Sequence, residues 1–125
     1  NNSFDHNIGN WPDVPGIFYG YDLNRRVIVL ADRGLGIRAT LSRVQPGLND
    51  DLQALEVAMT KKLSGRAPEQ RGNGLKFVCA VAESNPIGVS LQSGIAAAEI
   101  EKGGSKLRIS LAGRNLRGTL ARITY

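Results

Sequence analysis

The chain is poor in sulfur, with one cysteine, Cys79, and one methionine, Met59. A single cysteine makes no internal disulfide, so nothing requires an oxidising compartment, and cross-links cannot substitute for a core. Aromatic residues are scarce at 6%, which excludes the aromatic-rich sheet of a common RNA-binding module. No long hydrophobic run is present. The longest purely aliphatic stretch, Val27 to Ala31, is far below the roughly 20 residues that cross a bilayer as a helix. No charged-then-apolar leader opens the sequence, and a cytoplasmic location is the expectation. Low-complexity segments, internal repeats and linkers are also missing.

What remains suffices for one folded unit. With 125 residues, 42% hydrophobic and 22% charged, residues 1–125 read as a single domain with a real core. The opening Asn-Asn-Ser-Phe-Asp, without methionine, reads as the inside of a helix and so as a fragment incomplete at its amino end. The formal charge is +5, unevenly spread. Lys61, Lys62, Arg66, Arg71 and Lys76 crowd the stretch around Gly72–Gly74. Lys106, Arg108, Arg114, Arg117 and Arg122 fill the end of the chain with no acidic neighbour in sequence. The first group suits a bound polyphosphate and the second a surface strand pair; a solvated basic face accounts for either.

Phe4, Ile8 and Trp11 fall at helical spacing before Pro12 and Pro15, which stop a helix. Gly16–Asp22 and Arg26–Ala31 read as two strands of a hairpin turning at Asn24. A short segment, Arg38–Val44, ends before Pro46. Asn49 or Asp50 then caps an amphipathic helix whose apolar positions are Leu48, Leu52, Leu55, Met59 and Leu63. A second helix runs from about Gly74 to Glu83, with Leu75, Val78, Val81 and Ala82 on its apolar side. Three or four strands close the chain: Ile87–Gln92, Ile95–Glu101, Leu107–Leu111 and Leu116–Thr124. Hairpins dominate, so the expected fold is an α+β sandwich of two layers, with a mixed, mostly antiparallel sheet and helices on one face.

Three segments carry candidate chemistry. In Asp32-x-Gly34-x-Gly36-Ile37, a carboxylate at a strand end can accept the exocyclic amine of adenine, and the glycines admit a close backbone approach. A plain turn explains the same residues. Gly34-Leu35-Gly36-Ile37-Arg38-Ala39 also fits a dinucleotide fingerprint, but Pro46 cuts the following helix short and no β-α-β alternation follows. Arg71-Gly72-Asn73-Gly74-Leu75-Lys76 precedes a helix, where backbone N–H groups attract phosphate; an ordinary helix cap is the alternative. In Asn2-Ser3-Phe4-Asp5-His6, Asn2 and Asp5 share one helix face. An asparagine oxygen can ligate Mg²⁺ bridging phosphates, while His6 reads as structural.

These segments, in this order, resemble the GHKL family of ATP-binding domains, which includes histidine kinases, type II topoisomerases, mismatch-repair ATPases and large heat-shock chaperones. Asn2 to His6 matches its N box, Asp32 to Ile37 its first glycine box, and Gly72 to Leu75 its second, with Lys76 where a glycine is expected. Gly118-Thr119 resembles its glycine-threonine pair. The resemblance implies a Bergerat-type fold. It implies that Asn2 ligates Mg²⁺, Asp32 holds the adenine amine, Gly34, Gly36 and Ile37 shape the adenine pocket, and Thr119 reaches adenine through water. Asp5 would support the N-box helix or line the pocket, Gly72, Asn73, Gly74, Leu75 and Lys76 would form the phosphate end, and residues 38–71 a mobile lid over Mg-ATP or ADP. The family's ATPases place a general-base glutamate four residues before the N-box asparagine, a position that lies before Asn1, so no catalytic residue is assigned. The parent would be a kinase-like protein or an ATPase acting with a protein partner or phosphoacceptor. The competing expectation is a non-catalytic basic module binding nucleic acid or an acidic protein.

Overall fold

The segments on either side of Asn24 form the expected hairpin. In the computed structural model, which describes residues 7–13, 16–60 and 74–125, β1 (Ile17–Asp22) and β2 (Val27–Asp32) pair antiparallel, with Ile17 opposite Asp32. Asp22 Oδ1 accepts the N–H of Arg25 at 2.9 Å, and Arg26 takes a φ of 53°, which tightens the turn. The chain continues through α1 (Gly36–Leu41), α2 (Asp51–Thr60) and α3 (Gly74–Ser84) to two long strands, β3 (Gly88–Ile100) and β4 (Leu107–Thr124).

The four strands form one sheet in the order β1-β2-β4-β3, and each pairing is antiparallel. A mixed sheet was expected. The helices carry the chain from β2 to β3, which runs parallel to β2, but β4 folds back between them, so no parallel pair forms. The helices lie on one face. Leu55 and Met59 of α2 pack on Leu91, Ala96 and Ala98 of β3, and Ala82 of α3 packs with Val89 and Ile100. The architecture is therefore α+β, an antiparallel sheet with helices layered on it.

The start of α2 follows the sequence closely. Asp50 Oδ1 accepts the N–H of Gln53 at 2.7 Å, and Gln53 Oε1 accepts the N–H of Asn49 at 2.8 Å, a near relative of the capping box. The helix has two apolar sides. Leu55 and Met59 face the sheet, while Ala54 and Val57 meet Leu41 and Leu48 in a second cluster that joins α2 to the α1 region. The expected periodicity caught the first side and, of the second, only Leu48, which precedes the helix. Leu63 lies outside the described residues.

The closing strands number two rather than three or four. What reads as a break around Ser93 and Gly94 is an irregularity within a continuous hairpin: the β3–β4 register shifts on both sides of Gly94. Buried positions on β3 change from odd (Val89, Leu91, Ser93) to even (Ala96, Ala98, Ile100), and the extra residues lie on β4, where the run from Thr119 to Leu111 stands opposite Ser93 to Ala96, a bulged irregularity. At the amino end, residues 7–9 form a turn and Ile8 is exposed, so the helical spacing of Ile8 and Trp11 does not describe a helix there. Phe4 lies outside the described residues.

Candidate functional site

A strand end leaves backbone N–H groups beyond its last ladder bond in need of partners. At the end of β2 those partners are the side chain of its own last residue and side chains from two distant parts of the chain. Asp32, buried, accepts the N–H of Gly34 on Oδ1 at 2.9 Å, an Asx-type turn that bends the backbone out of the sheet. Leu35 N–H donates to Asn7 Oδ1 at 2.9 Å, and Ile37 N–H to Ser93 Oγ at 2.9 Å. The Ser93 hydroxyl in turn donates to the Gly118 carbonyl at 2.9 Å. Thr119 stands opposite Asp32 in the β2–β4 ladder and opposite Ser93 in the β3–β4 ladder. Opposed residues share a sheet face, so Asp32, Thr119 and Ser93 line up across three strands.

The glycines prove to be demanded by the chain itself. A Cβ on Gly34 would enter the Asn7 amide, and one on Gly118 would collide with the Asp32 carbonyl oxygen. A Cβ on Gly36 would stand 2.9 Å from Ser93 Oγ. Gly36 and Gly118 also hold φ values of 81° and 90°, where a side chain is strained. Their spacing was expected to admit an adenine ring; what the structure shows is that it admits Asn7, Ser93 and the neighbouring strand.

The structure thus brings Asp32, Gly34, Gly36, Ile37 and Thr119 together. The second glycine segment joins them through the core, because Leu75 and Ile37 pack against the same cluster of Leu55, Met59, Leu91, Ala96 and Ala98. Leu75 is therefore a core residue as well as a motif residue. Gly74 opens α3 and Lys76 lies in its first turn. Asn2, Asp5, His6, Gly72 and Asn73 lie outside the described residues, and with them the expected Mg²⁺ ligand. Among the described residues, no three His, Cys, Asp or Glu side chains gather as a metal site. Among the described residues, no helix is long and apolar enough to cross a membrane.

The expected lid, residues 38–71, divides. Its described part is built into the core, with Leu41, Leu48, Leu55, Val57 and Met59 all buried; residues 61–71 lie outside the described part. Charges around the turn are largely balanced. Arg33 pairs with Asp13 at 2.9 Å and Arg38 with Asp51 at 3.9 Å. The carboxyl-terminal basic group is also less bare than its sequence implies, because Glu99 of β3 and Glu101 just beyond it reach Arg108.

Among the described residues, Asp32 itself has no ion pair. Its Oδ2 accepts no hydrogen bond from the described residues, yet it is not sealed, since Trp11 Nε1 is the single sealed side-chain polar atom without a partner among them. Asn7 and Ser93 escaped the sequence reading; Asn7 carried no signal, and Ser93 only its place beside Gly94. The chain matches no family model and no curated protein.

Proposed function

We propose that this chain is an adenine-nucleotide-binding domain of the histidine-kinase-like, Bergerat type, and that Asp32 reads the adenine. One observation supports this best. A carboxylate that is 8% exposed has one oxygen committed to Gly34 and the other uncommitted. That oxygen is not sealed and has no protein donor among the described residues, so a ligand donor can reach and bond it, and a hydrogen bond to a charged oxygen is among the stronger ones. The exocyclic amine of adenine is such a donor, and Thr119, directly across the ladder, stands where a hydroxyl can hold a bridging water.

On this reading the phosphates extend toward the start of α3, where Gly72, Asn73, Gly74 and Lys76 supply N–H groups and charge. Mg²⁺, held by Asn2, neutralises them. The parent protein is a kinase or ATPase. In the parent, γ-phosphoryl transfer would rest on positioning and charge neutralisation.

The test is base discrimination. Inosine diphosphate keeps the ring shape and phosphates of ADP but replaces the amine with a carbonyl, which would face Oδ2 acceptor to acceptor. ADP with Mg²⁺ should raise the melting temperature and inosine diphosphate should not, with affinities at least about tenfold apart, or 1.4 kcal/mol. Equal shifts would mean that phosphate alone is recognised and that Asp32 does not read the base.

A further inference from the structure

β4 is three times as long as the strand beside it. β2 pairs with residues 119–124 only, so among the described residues Leu107–Leu116 has a strand, β3, on one side alone, with register partners at Leu107–Leu111 and Leu116 and none at 112–115. Its other edge presents backbone N–H and C=O groups without a ladder partner, the arrangement to which an extended chain adds as a further strand. The Arg114 carbonyl is engaged by Gln92 Nε2 at 2.7 Å.

An open groove of about 790 Å³ lies beside this edge. Its floor is Leu107 and Ile109 of β4, with no residue of β3, and its wall is the side of α2 that carries Asp50, Gln53, Glu56 and Thr60. Because α2 packs its Leu55 and Met59 on β3, the groove opens on the β4 side, over the unpaired half-strand. The wall is acidic. Asp50 is engaged by the N–H of Gln53 alone, and neither Asp50 nor Glu56 has an ion pair among the described residues. In a chain of net charge +5, this is an island of opposite sign.

We propose that the edge Leu107–Leu116 and this groove together bind an extended basic segment of a partner protein by strand addition. In an added strand, alternate side chains point into the groove. Lysine or arginine suits those positions, since the aliphatic stem lies on Leu107 and Ile109 while the cation reaches Asp50 and Glu56. Hydrogen bonds along the edge supply affinity, and the carboxylates select charge. The proposal is independent of the nucleotide reading.

The probe is an acetylated octapeptide alternating lysine and threonine, titrated calorimetrically into the full chain. Three comparison peptides accompany it: one with glutamate for lysine, and two carrying N-methyl groups on alternate amides, one for each edge of the strand. The lysine peptide should bind and protect amides within 107–116 from hydrogen exchange. The glutamate peptide and one N-methylated peptide should bind at least tenfold more weakly. The double variant D50N/E56Q, which keeps the oxygen that caps α2, should lose about the same factor while its melting temperature stays close to that of the parent. Equal binding of both N-methylated peptides would overturn strand addition. No binding of the lysine peptide, equal binding of the glutamate peptide, or protection confined to other strands would overturn the proposal as a whole.

Discussion

Asp32 divides its two oxygens between the protein and the proposed ligand, and this makes Asp32→Asn an informative substitution. The amide oxygen can keep the Gly34 N–H, so the fold should survive, with a denaturant midpoint near that of the parent. The amide NH₂ would then face the adenine amine, donor against donor, at a cost of roughly 1–3 kcal/mol; ADP affinity should fall about tenfold or more. Gly118→Ala should do the reverse. Its φ of 90° and the Asp32 carbonyl beside it leave no room for a methyl group, so urea unfolding should show a loss of more than about 1 kcal/mol. Cys79 carries the clearest titration signal. Burial, then the nearby Glu83 carboxylate, push its thiol above the ordinary value. A raised folded pKa favours the protonated thiol, so its contribution to stability is complete below the unfolded thiol's range and is lost as pH rises through the folded value. The thiolate is the reactive form, so at pH 8 a thiol reagent should label the native chain more slowly than the urea-unfolded one. Asp32 was legible because a strand, a carboxylate and two spaced glycines coincide within six residues. Asn7 and Ser93 were not, because their backbone partners lie 28 and 56 residues away and neither residue type is unusual in a turn.

At the scale of elements, α2 and the β3 irregularity hold each other in place. Asp51 Oδ2 accepts the N–H of Ile95 at 3.0 Å, and the space a Gly94 side chain would fill belongs to the Asp51 carboxylate. The first residue of α2 thus bonds the N–H of Ile95, which has no partner in the β3–β4 register. Asp51→Ala leaves that N–H unpartnered and should destabilise the chain by about 1–3 kcal/mol, with faster hydrogen exchange at Ile95. Leu55→Ala removes the centre of the core; at 0% exposure it should cost about 2–5 kcal/mol in chemical denaturation. Helix α2 was readable from its cap and apolar spacing. The continuity of β3 was not, because Ser93-Gly94 carries the local signature of a turn, and the groups that hold it in the strand, β4 on both sides of Gly94 and the Asp51 carboxylate 44 residues away, are distant in sequence.

For the whole molecule, the layered α+β arrangement followed from the order of elements, while the strand order did not. Nothing local indicates that β4 inserts between β2 and β3. That insertion puts Thr119 across from Asp32 and Gly118 against its carbonyl, so the candidate site is completed by the last strand to enter the sheet. Nucleotide and fold should therefore be linked: a ligand at one hundred times its dissociation constant adds about 2.7 kcal/mol to stability. The most direct measurement is calorimetric titration of the chain and of Asp32→Asn with ADP and Mg²⁺, each first shown to be folded by circular dichroism. Binding by the parent that is lost in the variant is the predicted result. Equal binding by both, or none by the folded parent, would contradict an adenine site at Asp32.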